Sequence, residues 1–236
     1  MITLEKAAKY YNGTCAFRIP QLTIEDGQIV GLLGENGAGK TSLLKVLAGV
    51  TDHDGTVLID GQPPRKIYDQ MAFITEEGSW FGFMNAMQFG EFLQDFFPGF
   101  LTKRYQSLLD FFELPRDRAI RSFSKGQQAK IEIAAGFSKG ARYIFMDEPF
   151  LGKDIFTRRD FLKLMASSLH GEETILISTH QVEEIEHFLD RAIILHQGSL
   201  VSDQTLDEIH AAGQNLVERM QEATGYDPER YQKFEF

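Results

Sequence analysis

The run Gly34-Glu35-Asn36-Gly37-Ala38-Gly39-Lys40-Thr41 has the spacing G-x-x-x-x-G-K-[ST], a pattern suited to a nucleoside triphosphate. Phosphate oxygens need several donors converging in a small concavity, and glycines let successive backbone N–H groups turn inward without a Cβ in the way. A helix starting at the end of such a loop adds its partial positive charge at the same spot. Lys40 is then placed to reach the β- and γ-phosphates and the Thr41 hydroxyl to ligate the accompanying Mg2+, with Glu35, Asn36, Ala38 and Ser42 along the lining. A second chemical feature is the adjacent pair Asp147 and Glu148, which closes the apolar run Tyr143-Ile144-Phe145-Met146. Successive residues at a strand end point in different directions. Asp147 can therefore bind Mg2+ while Glu148 orients and deprotonates an attacking water.

Such groups work only if rigid elements hold them. Before the glycine loop, Gln28-Ile29-Val30-Gly31-Leu32-Leu33 is an apolar run of strand length; after it, Ser42 to Ala48 has helical spacing. Further strand-like runs occupy residues 56–59, 71–74, 143–146, 174–177 and 192–195. Continuous apolar strands suit a sheet covered on both faces, the α/β architecture. Gly55, Asp60-Gly61 and Gln197-Gly198 are expected at tight turns, Asp60-Gly61 closing a small antiparallel element. From about residue 78 to 122 the sequence turns helical and rich in rings: Trp80, Phe81, Phe83, Phe89, Phe92, Phe96, Phe97, Phe100, Phe111 and Phe112. This predicts an inserted helical subdomain, about 78–140 in full, with most rings in its core. Trp80 to Phe83, flanked by Gly78 and Gly82, are expected to be partly exposed and to form a docking cleft for a partner helix.

The chain has 236 residues and a formal net charge of −10. That length suits one α/β domain with a subdomain, and that charge provides no broad basic field for nucleic acid or an anionic membrane surface. The apolar stretches fall short of the roughly 20 residues of a membrane-spanning helix. Met1 to Lys6 lack the basic-then-apolar layout of a signal peptide, so a soluble cytosolic protein is expected. The single cysteine, Cys15, excludes an internal disulfide and a cysteine metal cluster.

Together with the glycine loop and the acid pair, four further segments give the chain a resemblance to the ATP-binding cassette (ABC) family over roughly residues 1–210. Phe123-Ser124-Lys125-Gly126-Gln127-Gln128, upstream of the acid pair, is similar to the family signature LSGGQ. Pro149-Phe150-Leu151-Gly152-Lys153-Asp154 resembles the D-loop, with Asp154 at its aspartate; Ser178-Thr179-His180 resembles the switch segment that ends in histidine. Tyr11 stands where the family stacks a ring on adenine, although Tyr10 is adjacent and either ring also suits a core. The resemblance implies a P-loop NTPase fold: a RecA-like core with a mixed sheet, a small antiparallel β subdomain and the inserted helices. Beyond it, the polar helical stretch over 211–236 reads as a C-terminal helical tail. Leu206, Ile209, Leu216, Val217 and Met220 would give the start of that region an apolar face packed on the body, with Tyr231, Phe234 and Phe236 at its frayed end.

The resemblance also implies an ATPase that uses ATP and Mg2+ in a head-to-tail dimer. Ser124, Lys125, Gly126 and Gln127 would then act on the nucleotide of the second nucleotide-binding subunit, while His180 would contact the γ-phosphate beside Glu148. Two departures stand out. Glu76 occupies the place of the family's Q-loop glutamine; it can ligate Mg2+ but cannot donate as an amide does. In the signature, Phe123 replaces leucine and Lys125 replaces glycine. A second Phe-Ser-Lys-Gly, Phe137 to Gly140, is expected to be a loop. The function implied is the ATP-hydrolysing subunit of a transporter whose integral membrane permease subunits are separate chains. The spacing around Asp95 to Phe100 looks most like multidrug, antibiotic-peptide or ABC-2 exporters. Such a subunit sits at the inner face of the cell membrane through the permease. A soluble ABC ATPase with a regulatory or assembly role is the alternative.

Overall fold

The computed structural model of the chain describes residues 1–75, 77–149, 162, 165, 172–180 and 182–227. Among them are the strands β1 Ile2–Tyr11, β2 Thr14–Ile24, β3 Ile29–Leu33, β4 Asp54–Ile59, β5 Met71–Ile74, β6 Tyr143–Asp147, β7 Thr174–Ser178, β8 Arg191–His196 and β9 Ser199–Thr205. They form one mixed sheet in the order β4-β1-β2-β9-β8-β3-β7-β6-β5. The strands from β8 to β5 run parallel, β3 between β8 and β7, and β6 between β7 and β5. The other end is antiparallel: β1 pairs with β2 and β4, and β8 with β9. A single parallel pair, Arg18 opposite Ser199, joins the two halves.

The hairpin turns follow their residue chemistry. Asn12-Gly13, Asp60-Gly61 and Gln197-Gly198 all take positive φ at both positions, the geometry of tight two-residue turns. Gly55 departs from the expected turn and lies inside β4. There its φ is +78°, and a Cβ would stand 2.2 Å from the Lys6 carbonyl oxygen. Lys6 itself has φ 50°, and the β1–β4 register slips between Glu5 and Ala8. Gly55 is thus the glycine that a bulge requires.

Among the described residues the helices are α1 Lys40–Leu47, α2 Ala86–Phe96, α3 Thr102–Phe111, α4 Lys125–Ser138, α5 Val182–Ile185, α6 Leu206–Ala211 and α7 Leu216–Thr224. Helix α4 runs past the expected loop: Phe137 and Ser138 are its last residues, and only Gly140, at φ +67°, leaves helical geometry. Alternation along the parallel strands sends side chains into two separate cores. Ile144, Met146, Ile175, Ile177, Ala192 and Ile194 join the core under α2 to α7. Tyr143, Phe145, Leu176, Ile193 and Leu195 face the other way, into a core shared with α1, β1, β2 and β4. Leu206, Ile209 and Leu216 are buried, and Val217 and Met220 pack against the first core, as the apolar face of the tail predicts. Tyr231, Phe234 and Phe236 lie outside the described residues.

Phe81 and Phe83 are exposed, Phe83 by 71%, as expected of the start of the aromatic stretch, and Phe89 and Phe112 are buried, but Phe96 and Phe111 are exposed where a core position was expected. Helices α2 and α3 each cover the core with one face only, so rings on the opposite face meet solvent.

Candidate active site

Strand β3 delivers the chain to Gly34, and the loop returns into α1 at Gly39, the N-cap of that helix. Gly39 sits at φ +104°, where a Cβ would collide with the Ala16 carbonyl oxygen at 2.4 Å. The cap position carries no side-chain cap, and the first turn of α1 holds no acidic residue. Its N–H groups are thus left for an anion. A concavity of about 200 Å3 lies over them, lined by Ala16, Asn36, Gly37, Gly39, Lys40, Thr41, Ser42 and Glu148. A larger cavity of about 430 Å3 opens beside α7, where Glu35 and His180 join Val182, Val217, Met220 and Tyr226. Of the two, only the smaller is lined by the glycines of the loop with Lys40 and Thr41, so the phosphate chemistry belongs there.

Lys40 is buried, and its Nζ donates to the carbonyl oxygens of Gly34 (2.8 Å) and Glu35 (3.1 Å). Burial pulls its pKa below the ordinary lysine value, an effect opposed by the nearby Glu148 and Asp147 carboxylates. Glu148 Oε1 lies 3.9 Å from Nζ. The lysine is therefore held ready beneath the loop as a charged donor.

The acid pair diverges as its position at a strand end predicts. Asp147 Oδ1 accepts from the hydroxyls of Thr41 (2.9 Å) and Ser178 (2.6 Å). Glu148 adopts φ +46°, uncommon outside glycine, and its N–H donates to the Ser178 carbonyl at 3.0 Å. That turn sends its carboxylate to the other side, where Oε2 lies 3.0 Å from His180 Nδ1. The hydroxyl of Thr41 and the carboxylate of Asp147 are hard oxygen ligands already side by side, a donor set that fits Mg2+. When bound there, Mg2+ would neutralise charge on the β- and γ-phosphates. Ser178, which orients Asp147, was not singled out from the sequence as a site residue; its place between a buried strand and His180 was the available signal.

Ser124 is the N-cap of α4 and closes a reciprocal capping box. Gln127 N–H donates to Ser124 Oγ at 3.2 Å, and Ser124 N–H donates to Gln127 Oε1 at 3.0 Å. Lys125 and Gly126 are exposed beside it, while Phe123 is buried in the core. The phenylalanine in place of leucine is thus an apolar anchor for the start of α4. None of these residues lines the phosphate concavity of its own chain. Tyr11 is 44% exposed at the hairpin end of β1, with Lys9 Nζ 4.9 Å from its ring centroid. It pairs with Thr14, close along β2 to Ala16 in the concavity wall. Tyr10 is also exposed and accepts from Arg18 at 2.6 Å. Glu76 and Asp154 lie outside the described residues.

A glycine loop on a helix N-terminus, a buried lysine, a hydroxyl–carboxylate pair and a second carboxylate against a histidine define a P-loop nucleotide-hydrolysing site. Residues 17–151 match the ABC transporter family model. The chain is 31% identical over 214 residues to the ABC transporter ATP-binding protein YtrB of Bacillus subtilis, covering 89% of this chain and 73% of that one. It is 28% identical over 222 residues to the lipopolysaccharide export system ATP-binding protein LptB of Haemophilus influenzae, covering 89% and 92%. A solved structure described as the ATP binding subunit of an ABC transporter superposes with a TM-score of 0.86 at 25% identity, over 94% of this chain and 99% of that one. The chain belongs to the ABC transporter family, as an ATP-binding subunit that hydrolyses ATP with Mg2+.

Proposed function

We propose that this subunit hydrolyses ATP as a head-to-tail dimer and drives export through separate membrane-spanning subunits. The observation that carries the proposal is the division of the site. Lys40, Thr41, Asp147, Glu148 and His180 converge on one concavity or its immediate edge, while Ser124 to Gln127 cap a helix elsewhere. Each nucleotide site is then completed by the α4 N-terminus of the other copy. Lys40, the N–H groups of the loop and the α1 N-terminus hold the phosphates. Glu148 takes the proton of the attacking water, with His180 fixing its carboxylate, and Thr41 and Asp147 hold the metal. Tyr11 stacks on the base; Glu76 and Asp154 contribute to metal binding and to the dimer contact.

The division into a cassette over 1–210, with helices inserted at about 78–140, and a tail over 211–236 belongs to this proposal. So does the partner surface. Phe81, Phe92 and Phe96 form a row of rings in edge-on and tilted contact, with centroids 5.0 and 4.5 Å apart, and Phe83 lies 5.8 Å from Phe81. This exposed apolar row receives a helix of the permease and holds the subunit at the inner face of the membrane. The export direction is supported by the likeness to LptB.

Two measurements test the proposal. Glu148→Gln with ATP and Mg2+ is expected to elute as a dimer in size-exclusion chromatography and as a monomer without nucleotide. A monomer under both conditions refutes the dimer. The tagged chain expressed in its host should co-purify with an integral membrane protein, and purification free of any membrane protein would favour the soluble regulatory or assembly role.

A further inference from the structure

Glu132 is the most deeply buried acidic residue described, 2% exposed in the middle of α4. Burial raises its pKa, opposed by hydrogen bonds from Ser79 and by the charge of Lys139. Its Oε2 accepts from both the backbone N–H (2.8 Å) and the hydroxyl (3.0 Å) of Ser79. Ser79 lies just beyond the exit of β5, the strand beside the one that carries Asp147 and Glu148. Lys139, at the C-cap of α4, is buried too, its Nζ 4.6 Å from the centroid of Phe97 at the end of α2.

Along the same face of α4, one turn on, Gly136 lets the helix lie against β5. A Cβ there would stand 2.5 Å from Ile74 Cδ1. Helix α4 is therefore fastened to β5 and its exit at two points: a close apolar contact at Gly136 and a doubly hydrogen-bonded one at Glu132. A single close contact leaves a helix free to rock about it; two contacts a turn apart fix both its rotation and its slide. Both points lie in the middle and C-terminal half of α4, while Ser124 and Gly126 stand at its N-terminal end, about two turns before Glu132, so the clasp sets their direction through the length of the helix.

We propose that Glu132 is a positioning residue for ATP hydrolysis: through Ser79 it locks α4 to the exit of β5 and so aims the Ser124 end of the helix at the nucleotide of the other copy. This rests on the dimeric site proposed above. Loss of the clasp leaves the concavity of Lys40 and Thr41 untouched, since that loop packs in the other core. It therefore acts on turnover and not on capture of ATP by one chain.

The test compares full-length wild type, Glu132→Ala, Glu132→Gln and Ser79→Ala by steady-state hydrolysis, ATP binding and thermal melting, with rates expressed per folded protein. Glu132→Ala should lower kcat about tenfold or more, with KM and ATP affinity within about twofold, as for a misplaced reacting group. Glu132→Gln should recover kcat to within about threefold of wild type, because its amide oxygen still accepts from Ser79. Ser79→Ala, which keeps the backbone N–H, should fall between them. Ser79 is exposed, so this variant carries the test if Glu132→Ala does not fold. An unchanged kcat in Glu132→Ala or Ser79→Ala overturns the clasp, and so does a Glu132→Gln variant as impaired as alanine. Wild type that hydrolyses no ATP would instead bring down the functional proposal and this one with it.

Discussion

In the proposed dimer Ser124 has two functions, capping α4 and donating to the phosphate of the other copy, and one substitution can separate them. In the capping box its oxygen accepts from Gln127 N–H, which uses a lone pair and leaves the O–H free to donate to a phosphate. Ser124→Ala removes both functions: it should cost about 1 kcal/mol of stability through the lost cap and slow hydrolysis as well, leaving the two causes mixed. Ser124→Asp separates them. Aspartate caps as well as serine does, and its charge favours a helix N-terminus by about 0.3–1 kcal/mol. The fold should therefore be as stable as wild type or slightly more so. The same carboxylate would face the triphosphate of the other copy. One such like-charge pair at about 4 Å and an effective dielectric of about 20 costs about 4 kcal/mol, close to three decades in the closing equilibrium. The assays are urea denaturation and steady-state hydrolysis. Hydrolysis by Ser124→Asp within about threefold of wild type would refute action of this hydroxyl on the partner's phosphate. A drop in stability as large as that of the alanine variant would refute the capping argument.

Glu148→Gln keeps the shape of the side chain but not the base; turnover should fall by about 10²–10⁴ with ATP still bound, and near-normal turnover in a phosphate-release assay would remove Glu148 from that role. Lys40→Ala should lose triphosphate affinity while Lys45→Ala does not, measured by titration with a fluorescent ATP analogue; equal binding by both would contradict the assignment of the loop. Gly136→Val should destabilise the fold by about 1–3 kcal/mol by overpacking against Ile74, and an unchanged denaturation midpoint would mean that α4 does not rest on β5 as described. Phe83→Ala combined with Phe96→Ala should leave the hydrolysis rate of the isolated subunit unchanged and abolish co-purification with a membrane protein; retained co-purification would place the docking surface elsewhere.

The central strands were legible because their apolar runs are uninterrupted: β3, β5, β6, β7 and β8 all lie where the sequence puts them. The first strand was not, since the bulge at Lys6 breaks its alternation. Residues Ile2 and Leu4 are buried in phase, then Ala7, Ala8 and Lys9 follow in succession. The same bulge explains why Gly55 reads as a turn. The glycine loop and the acid pair were legible together because one loop and one strand end supply them, whereas His180, Tyr11 and the Ser124 segment are picked out only by the family resemblance. Glu132 was not legible: an acid in the middle of a helix reads as a solvated face, and its partner Ser79 is distant in sequence. The exposed rings of α2 and α3 were misassigned to the core because composition reports how many rings there are, not which side of a helix bears them.

The alternating strands that divide the interior also govern how substitutions combine. A change beneath α2 to α4 and one beneath α1 share no packed neighbour when they fall in different cores, so their stability effects should add to within about 0.5 kcal/mol. Substitutions in the helical layer should thus leave the layer that carries the glycine loop unchanged in stability. In this cassette the sheet is a partition as well as a scaffold, and even the Glu132–Ser79 clasp stays on the helical side of it.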